Sequence, residues 1–167
     1  AFRMLPETVW KIPPHGTFNL HASLLPQYRG AAPINHAIIN GETRTGVTTM
    51  YMAEELDAGD IIHQAALPIS HSATTGEIHD QLADLGAGLL VRTLADIERG
   101  AAPRIPQNPD EVSFAPLLKR EHEQIDWQQP AVMIHNRVRG LNPWPGAYTR
   151  WGNLELKIWR SEVQGVA

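Results

Sequence analysis

The 167-residue sequence contains no cysteine, which removes disulfides, thiolate metal sites and thiol nucleophiles together. It has no apolar run approaching the ~18 residues a membrane span needs. It also has no His-Glu-x-x-His pair and neither a Gly-x-Gly-x-x-Gly nor a Walker-type loop, so a glycine-fingerprint nucleotide site has no support. The eight histidines, His15, His21, His36, His63, His71, His79, His122 and His135, are scattered without ligand spacing, and no metal is expected. No basic, apolar leader opens the sequence, and the expectation is a cytoplasmic protein with no membrane partner. Aromatic residues make up 7% of the chain, five of them tryptophan. The net charge of −4 is unevenly spread, with Asp and Glu in surplus over residues 1–115 and Lys and Arg slightly in surplus over residues 116–167.

A hydrophobic share of 43% is ordinary for a globular core, and its periodicity carries the fold. Residues 1–5 read as the end of a strand begun upstream, so the chain is expected to be an internal portion of a longer one. A turn at 13–16 leads into a short buried strand at 17–21, and a helix begins at 31–33 and is stopped by Gly41. Strands at 47–52 and 61–69 flank an acidic loop at 53–60, whose hairpin length predicts antiparallel pairing. Thr74-Thr75-Gly76-Glu77 offers a capping box. Beyond it Ile78, Leu82, Leu85, Leu89, Leu90, Leu94 and Ile97 recur at helical spacing up to Gly100. Four prolines in 101–116 mark an extended linker or wrap-around segment. A helix at 131–139, a rigid Pro143-Trp144-Pro145-Gly146 turn and an alternating strand at 154–158 then predict a small β-rich module.

Polar chemistry concentrates at one strand end. Asn19 and His21 lie two residues apart, so on a strand they share a face, and a turn rich in Pro and Gly follows at once. Strand ends of this kind are where open α/β sheets bind ligands. Asp57, on the acidic loop, is placed to fold over them. An amide that donates to a developing oxyanion, an imidazole and a carboxylate that orients it suit acyl transfer. Ser23, the nearest hydroxyl, lacks a Gly-x-Ser-x-Gly elbow, so the attacking group would come from the substrate. By spacing alone the same residues also fit a polar pair capping a sheet and a turn aspartate.

Asn19-Leu20-His21-x-Ser23-Leu24-Leu25-Pro26-x-Tyr28-Arg29-Gly30, followed by Gly46-Val47-Thr48 and Leu56-Asp57-Ala58-Gly59-Asp60, resembles the signature of the folate-dependent formyltransferases. The segments from Arg29 to Ile34 and from Arg139 to Tyr148 resemble most the branch that acts on methionyl-tRNA, and the likeness runs over essentially the whole chain. The resemblance implies an α/β fold: the C-terminal part of a Rossmann-like formyltransferase domain at 1–100, a linker at 101–116, and from 117 to 167 the start of an OB-like β-barrel. It implies formyl transfer from 10-formyltetrahydrofolate to the α-amino group of methionyl initiator tRNA, without a metal, in an enzyme that works as a monomer. The related alternative is an amino sugar nucleotide or other small amine as acceptor. By the same resemblance the catalytic trio falls on Asn19, His21 and Asp57. Folate contacts fall on Ser23, Leu24, Leu25, Pro26, Arg3, Met4, Leu5, Glu55 and Asp60. OB folds bind nucleic acid through basic and aromatic groups, and the tRNA candidates are Arg137, Arg139, Arg150 and Lys157, with Arg160, Trp144 and Trp151 beside them.

Overall fold

The computed structural model describes residues 5–165. Arg3, Met4 and most of the strand expected at 1–5 lie outside the described residues, and Leu5 is exposed and in no strand. The element order is α1 (Glu7–Trp10), β1 (Phe18–His21), β2 (Arg29–Gly30), α2 (Pro33–Ile39), β3 (Arg44–Tyr51), β4 (Ile61–Pro68), α3 (Thr75–Glu98), β5 (Phe114–Ala115), α4 (Arg120–Glu123), α5 (Ala131–Gly140), β6 (Ala147–Trp151) and β7 (Leu154–Ile158).

Strand β3 is central in a three-stranded sheet ordered β1-β3-β4, antiparallel to both neighbours. Its Thr45, Val47, Thr48 and Thr49 are buried, and β-branched side chains of this kind suit a strand covered on both faces. It begins at Arg44, three residues earlier than its apolar pattern suggests, because Arg44 pairs with Pro68 at the far end of β4. Strand β1 is less buried than expected. Phe18 and Leu20 are half-covered, Asn19 is exposed, and only His21 is buried.

Helix α3 starts at the expected capping box: the Glu77 N–H donates to the Thr74 hydroxyl, and the Thr74 N–H donates to the Glu77 carboxylate at 2.8 Å. The Thr74 N–H first, and then the Thr74 hydroxyl, which also donates to the carboxylate, hold the Glu77 carboxyl below its ordinary range. Ile78, Leu82, Gly86, Leu89 and Thr93 form the buried stripe. Leu94, expected on that stripe, is half-exposed. The helix instead turns Thr93 inward, where its hydroxyl donates to the Leu89 carbonyl and pairs with that of Thr49 at 2.8 Å. Ile38, Val47, Ile78, Leu82 and Ala115 belong to one core between sheet and helices. Truncating one such isoleucine to Ala costs about 2–5 kcal/mol.

Residues 101–116 wrap back over the sheet. Ile105 exchanges backbone hydrogen bonds with Ile61 at 2.8 and 3.0 Å, and β5 pairs in parallel with β2. Beyond them, Ile125, Val138, Leu141 and Ala147 form a second, smaller core under the β6–β7 hairpin. Among the described residues this part forms a two-stranded hairpin with α4 and α5 rather than a closed barrel. No helix among them is long and apolar enough to cross a membrane.

Candidate active site

His21 ends β1, and its Nε2 lies 2.8 Å from the Tyr28 carbonyl oxygen. A carbonyl only accepts, so Nε2 carries the hydrogen and Nδ1 is the edge left over. Nδ1 sits 3.6 Å from Asp57 Oδ2, with both side chains 7% exposed. That separation is too long for a hydrogen bond. The two groups face one another in a buried setting with a gap between them.

The turn after β1 delivers the Tyr28 carbonyl. Thr48 on β3 donates its hydroxyl hydrogen to Ser23 O and accepts from the Leu25 N–H. Gln64 on β4 donates to both Leu25 O and Thr48 Oγ1, so the sheet grips the turn from below. Tyr28 has φ +60°, a left-handed conformation that costs a non-glycine residue roughly 1–2 kcal/mol. It is held at both ends: its N–H donates to the Ser113 hydroxyl at 2.9 Å, and its phenol donates to Glu42 at 2.7 Å. Burial first, and then the Glu42 hydrogen bond, push the phenol up to about 12.

Asp57 is also left-handed, φ +53°, and its Oδ2 accepts the Gly30 N–H at 2.9 Å. A side chain at residue 30 would place its Cβ 2.7 Å from the Ala115 carbonyl oxygen, so the close approach of β2 to β5 demands glycine. The Asp57 loop is secured from the wrapping segment by Gln107, whose Nε2 donates to Asp57 O and Gly59 O. The sequence pattern carries no sign of Gln107, Ser113 or Gln64, and it places Thr48 in the signature without a role. Tyr28 and Gly30 stood inside the signature, whereas Gln107 carries no local signal at all.

The remaining candidates are placed less uniformly. Asn19 lies one pleat before His21, opposite Met50, and is exposed. The Ser23 hydroxyl donates to Gln27 O at 2.6 Å; Leu25 and Pro26 are buried and Leu24 half-buried, with Leu25 packed among Met50 and Ile61. Glu55 is exposed. Asp60 is 3.7 Å from the Arg104 guanidinium, which stacks on the Tyr51 ring. Arg139, expected on a nucleic-acid face, is a correction. It is 6% exposed and donates to Asn136 Oδ1, Ser70 O and Ala73 O, because α5 turns this residue toward the body of the protein. Lys157 is likewise engaged, by Glu123, Pro145 O and Gly146 O, and Arg137 donates to His122 O. Arg150, Arg160, Trp144 and Trp151 are exposed. A cleft of about 870 Å³ lies between α5 and the loop at 41–43, away from His21 and Asp57. No group of three or more His, Asp or Glu among the described residues is placed to hold a metal ion.

A family model described as formyl transferase matches residues 2–94, and one described as formyl transferase, C-terminal domain, matches residues 117–166. The chain is 59% identical over 161 residues to the methionyl-tRNA formyltransferase of Moorella thermoacetica, covering 96% of the chain and 52% of that protein. It spans about half the length of the curated relatives it matches. Among solved structures, HypX from Aquifex aeolicus in complex with tetrahydrofolic acid is 27% identical with a TM-score of 0.76, covering 89% of this chain and 26% of that one. The N-formyltransferase from Helicobacter canadensis, solved with folinic acid and dTDP-3-aminofucose, is 27% identical with a TM-score of 0.68, covering 74% of this chain and 46% of that one.

Proposed function

Because the chain belongs to the formyl transferase family, we propose that it carries the transfer centre of an enzyme that formylates methionyl initiator tRNA from 10-formyltetrahydrofolate. The observation that carries this reading is the buried His21–Asp57 pair, with Nε2 of the imidazole tied to Tyr28 O and its Nδ1 edge facing a carboxylate. The acceptor amine attacks the formyl carbon, and the new C–N bond leaves a tetrahedral centre with charge on its oxygen. The exposed amide of Asn19, on the same strand face as His21, donates to that oxygen. Nδ1 of His21 and the Asp57 carboxylate handle the proton that leaves the amine. The bond to the folate nitrogen then breaks, and that nitrogen takes up the proton.

The folate is held between the turn at 23–26 and the loop at 54–60, and the resemblance to the family adds Arg3, Met4 and Leu5 to its contacts. The chain divides into a catalytic part at 1–100, a connection at 101–116 and an OB-like, tRNA-holding part from 117. On that last part Arg150, Arg160, Trp144 and Trp151 offer cations and flat apolar surface to solvent, half-buried Arg137 is a further candidate, and Arg139 and Lys157 serve the fold. The whole enzyme acts as a cytoplasmic monomer in translation initiation. An amino sugar acceptor is the rival reading, and the higher identity and coverage of the tRNA-acting relative favour the first.

The test is a hybrid in which these residues replace the matching half of the Moorella relative, assayed with 10-formyltetrahydrofolate. Formylation of charged initiator tRNA supports the proposal, and preference for an amino sugar nucleotide replaces it. A folded hybrid that transfers to neither overturns both.

A further inference from the structure

Residues 104–111 run across the surface with their side chains exposed, except that of Gln107, which is half-buried. Its Nε2 donates one hydrogen to Asp57 O and one to Gly59 O, each at 2.8 Å, and its Oε1 accepts from Arg29 Nε at 3.1 Å and Nη2 at 2.7 Å. The amide is thereby saturated. The next residue after Arg29 is Gly30, whose N–H binds the Asp57 carboxylate. A closed ring results: Asp57 backbone, Gln107, Arg29, Gly30, Asp57 side chain. The segment bearing Gln107 is itself fixed on both flanks, by Ile105 on Ile61 and by Ser113, which takes the N–H groups of Tyr28 and Arg29.

We propose that Gln107 is a positioning residue for formyl transfer, clamping the Asp57 loop so that the carboxylate stays opposite His21 Nδ1. This rests on the assignment of His21 and Asp57 to the transfer centre. The loop is tied at its far end, where Asp60 O accepts the Tyr51 N–H at 2.9 Å and the Asp60 carboxylate faces Arg104. Next to residue 57, however, the Ala58 N–H reaches Glu55 O only at 3.4 Å, and Asp57 sits in a strained left-handed conformation. Strain of this kind persists only where the surroundings over-determine it. Two donors on one rigid amide, spanning residues 57 and 59, do so.

A purely structural role, in which Gln107 merely anchors the wrapping segment to Arg29, is separated by substitution with an isostere. Gln107→Glu keeps the acceptor for Arg29 but has no hydrogens for the two carbonyl groups. The hybrid described above is compared as Gln107, Gln107→Glu and Gln107→Ala. Three quantities are measured: kcat for formyl transfer, exchange of the Gly30 amide, which reports the Asp57 carboxylate, and exchange of the Thr49 amide in β3, which reports the whole fold. The expected result is that both variants speed Gly30 exchange and lower kcat, each by roughly tenfold as for two lost hydrogen bonds, with Thr49 unchanged. The proposal is overturned if Gln107→Glu leaves Gly30 exchange or kcat at the native value, or if Thr49 exchange rises in step with that of Gly30. If the Gln107 hybrid transfers no formyl group while both variants speed Gly30 exchange, the clamp stands and the function reading falls.

Discussion

Among the described residues, two histidine–aspartate pairs join different elements of the fold, His63–Asp96 and His21–Asp57, and they are arranged differently. His63 on β4 and Asp96 on α3 meet at 2.7 Å, and Arg99 and Arg92 add two cations to the same carboxylate. His21 and Asp57 stand 3.6 Å apart with a backbone N–H on the carboxylate and a carbonyl on the far nitrogen of the ring. The first pair is closed and saturated, a brace between strand and helix. In the second, Nε2 of the ring is tied to Tyr28 O, and the Asp57 oxygen that accepts the Gly30 N–H is the one that faces Nδ1 across a gap. A direct ion pair would join Nδ1 and Oδ2 to each other; under the proposed function, the gap is what would let this pair handle the substrate's proton where His63–Asp96 could not.

The largest effect expected from this contrast is on turnover. Asp57→Asn retains an acceptor for the Gly30 N–H but removes the charge facing Nδ1, and His21→Ala removes the edge itself. Each is expected to lower formyl transfer in the hybrid by on the order of 10²-fold or more, the scale seen when a general acid–base group is lost. His63→Gln should leave kcat within about twofold, since a brace acts through stability. Comparable losses at His63 and His21, measured as single-turnover rates, would erase the distinction.

How much of this was legible in the sequence depends on the distance over which each feature is encoded. The capping box at Thr74, the Ile78–Leu82–Leu89 stripe and the antiparallel pairing across the 53–60 loop are local patterns, and the structure carries all three. The start of β3 at Arg44 was not legible, because its partner Pro68 lies on another strand. Leu94 and Thr93 exchanged places because hydrophobicity ranks leucine above a threonine whose hydroxyl has a buried partner. In the site, His21 and Asp57 were both named, and they lie within 3.6 Å of one another. Gln107, Ser113 and the inward turn of Arg139 were not foreseen, because hydrogen bonds across 50 or 85 residues leave no periodicity.

An intermediate effect is expected at Tyr28, whose carbonyl oxygen lies 2.8 Å from His21 Nε2. Tyr28→Phe removes a hydrogen bond to the Glu42 carboxylate, a loss of about 1.5–3 kcal/mol in stability, and loosens the carbonyl that holds His21 Nε2. Its pH signature is distinct. The phenol is raised to about 12 in the folded chain against roughly 10 when unfolded, so the folded state binds the extra proton between those values. Stability therefore falls as pH rises through that window. Denaturant titrations from pH 9 to 11 should show the decline in the native chain and a flatter profile in Tyr28→Phe. An unchanged slope would mean that the phenol is not the group responsible.

The smallest effect belongs to the brace. The Arg99 hydrogen bond first, and the His63 one after it, hold the Asp96 carboxyl below its ordinary range. A depressed carboxyl stabilises the fold above the ordinary carboxylate range, and the contribution disappears as pH falls through its folded-state value. Arg92 and Arg99 are two-thirds exposed, so solvent and salt screen much of the attraction. Asp96→Asn is accordingly expected to lower the thermal midpoint slightly at neutral pH, to flatten its fall on acidification, and to leave kcat unchanged. A mirrored experiment on Asp57→Asn should show the reverse balance, with little change in the thermal midpoint and a large loss of turnover. Two carboxylates, each beside an imidazole, then separate into stabiliser and reagent by what surrounds them. If Asp96→Asn instead depressed turnover at an unchanged midpoint, saturation by arginine would not mark a brace, and the inference from packing to role would fail for both pairs.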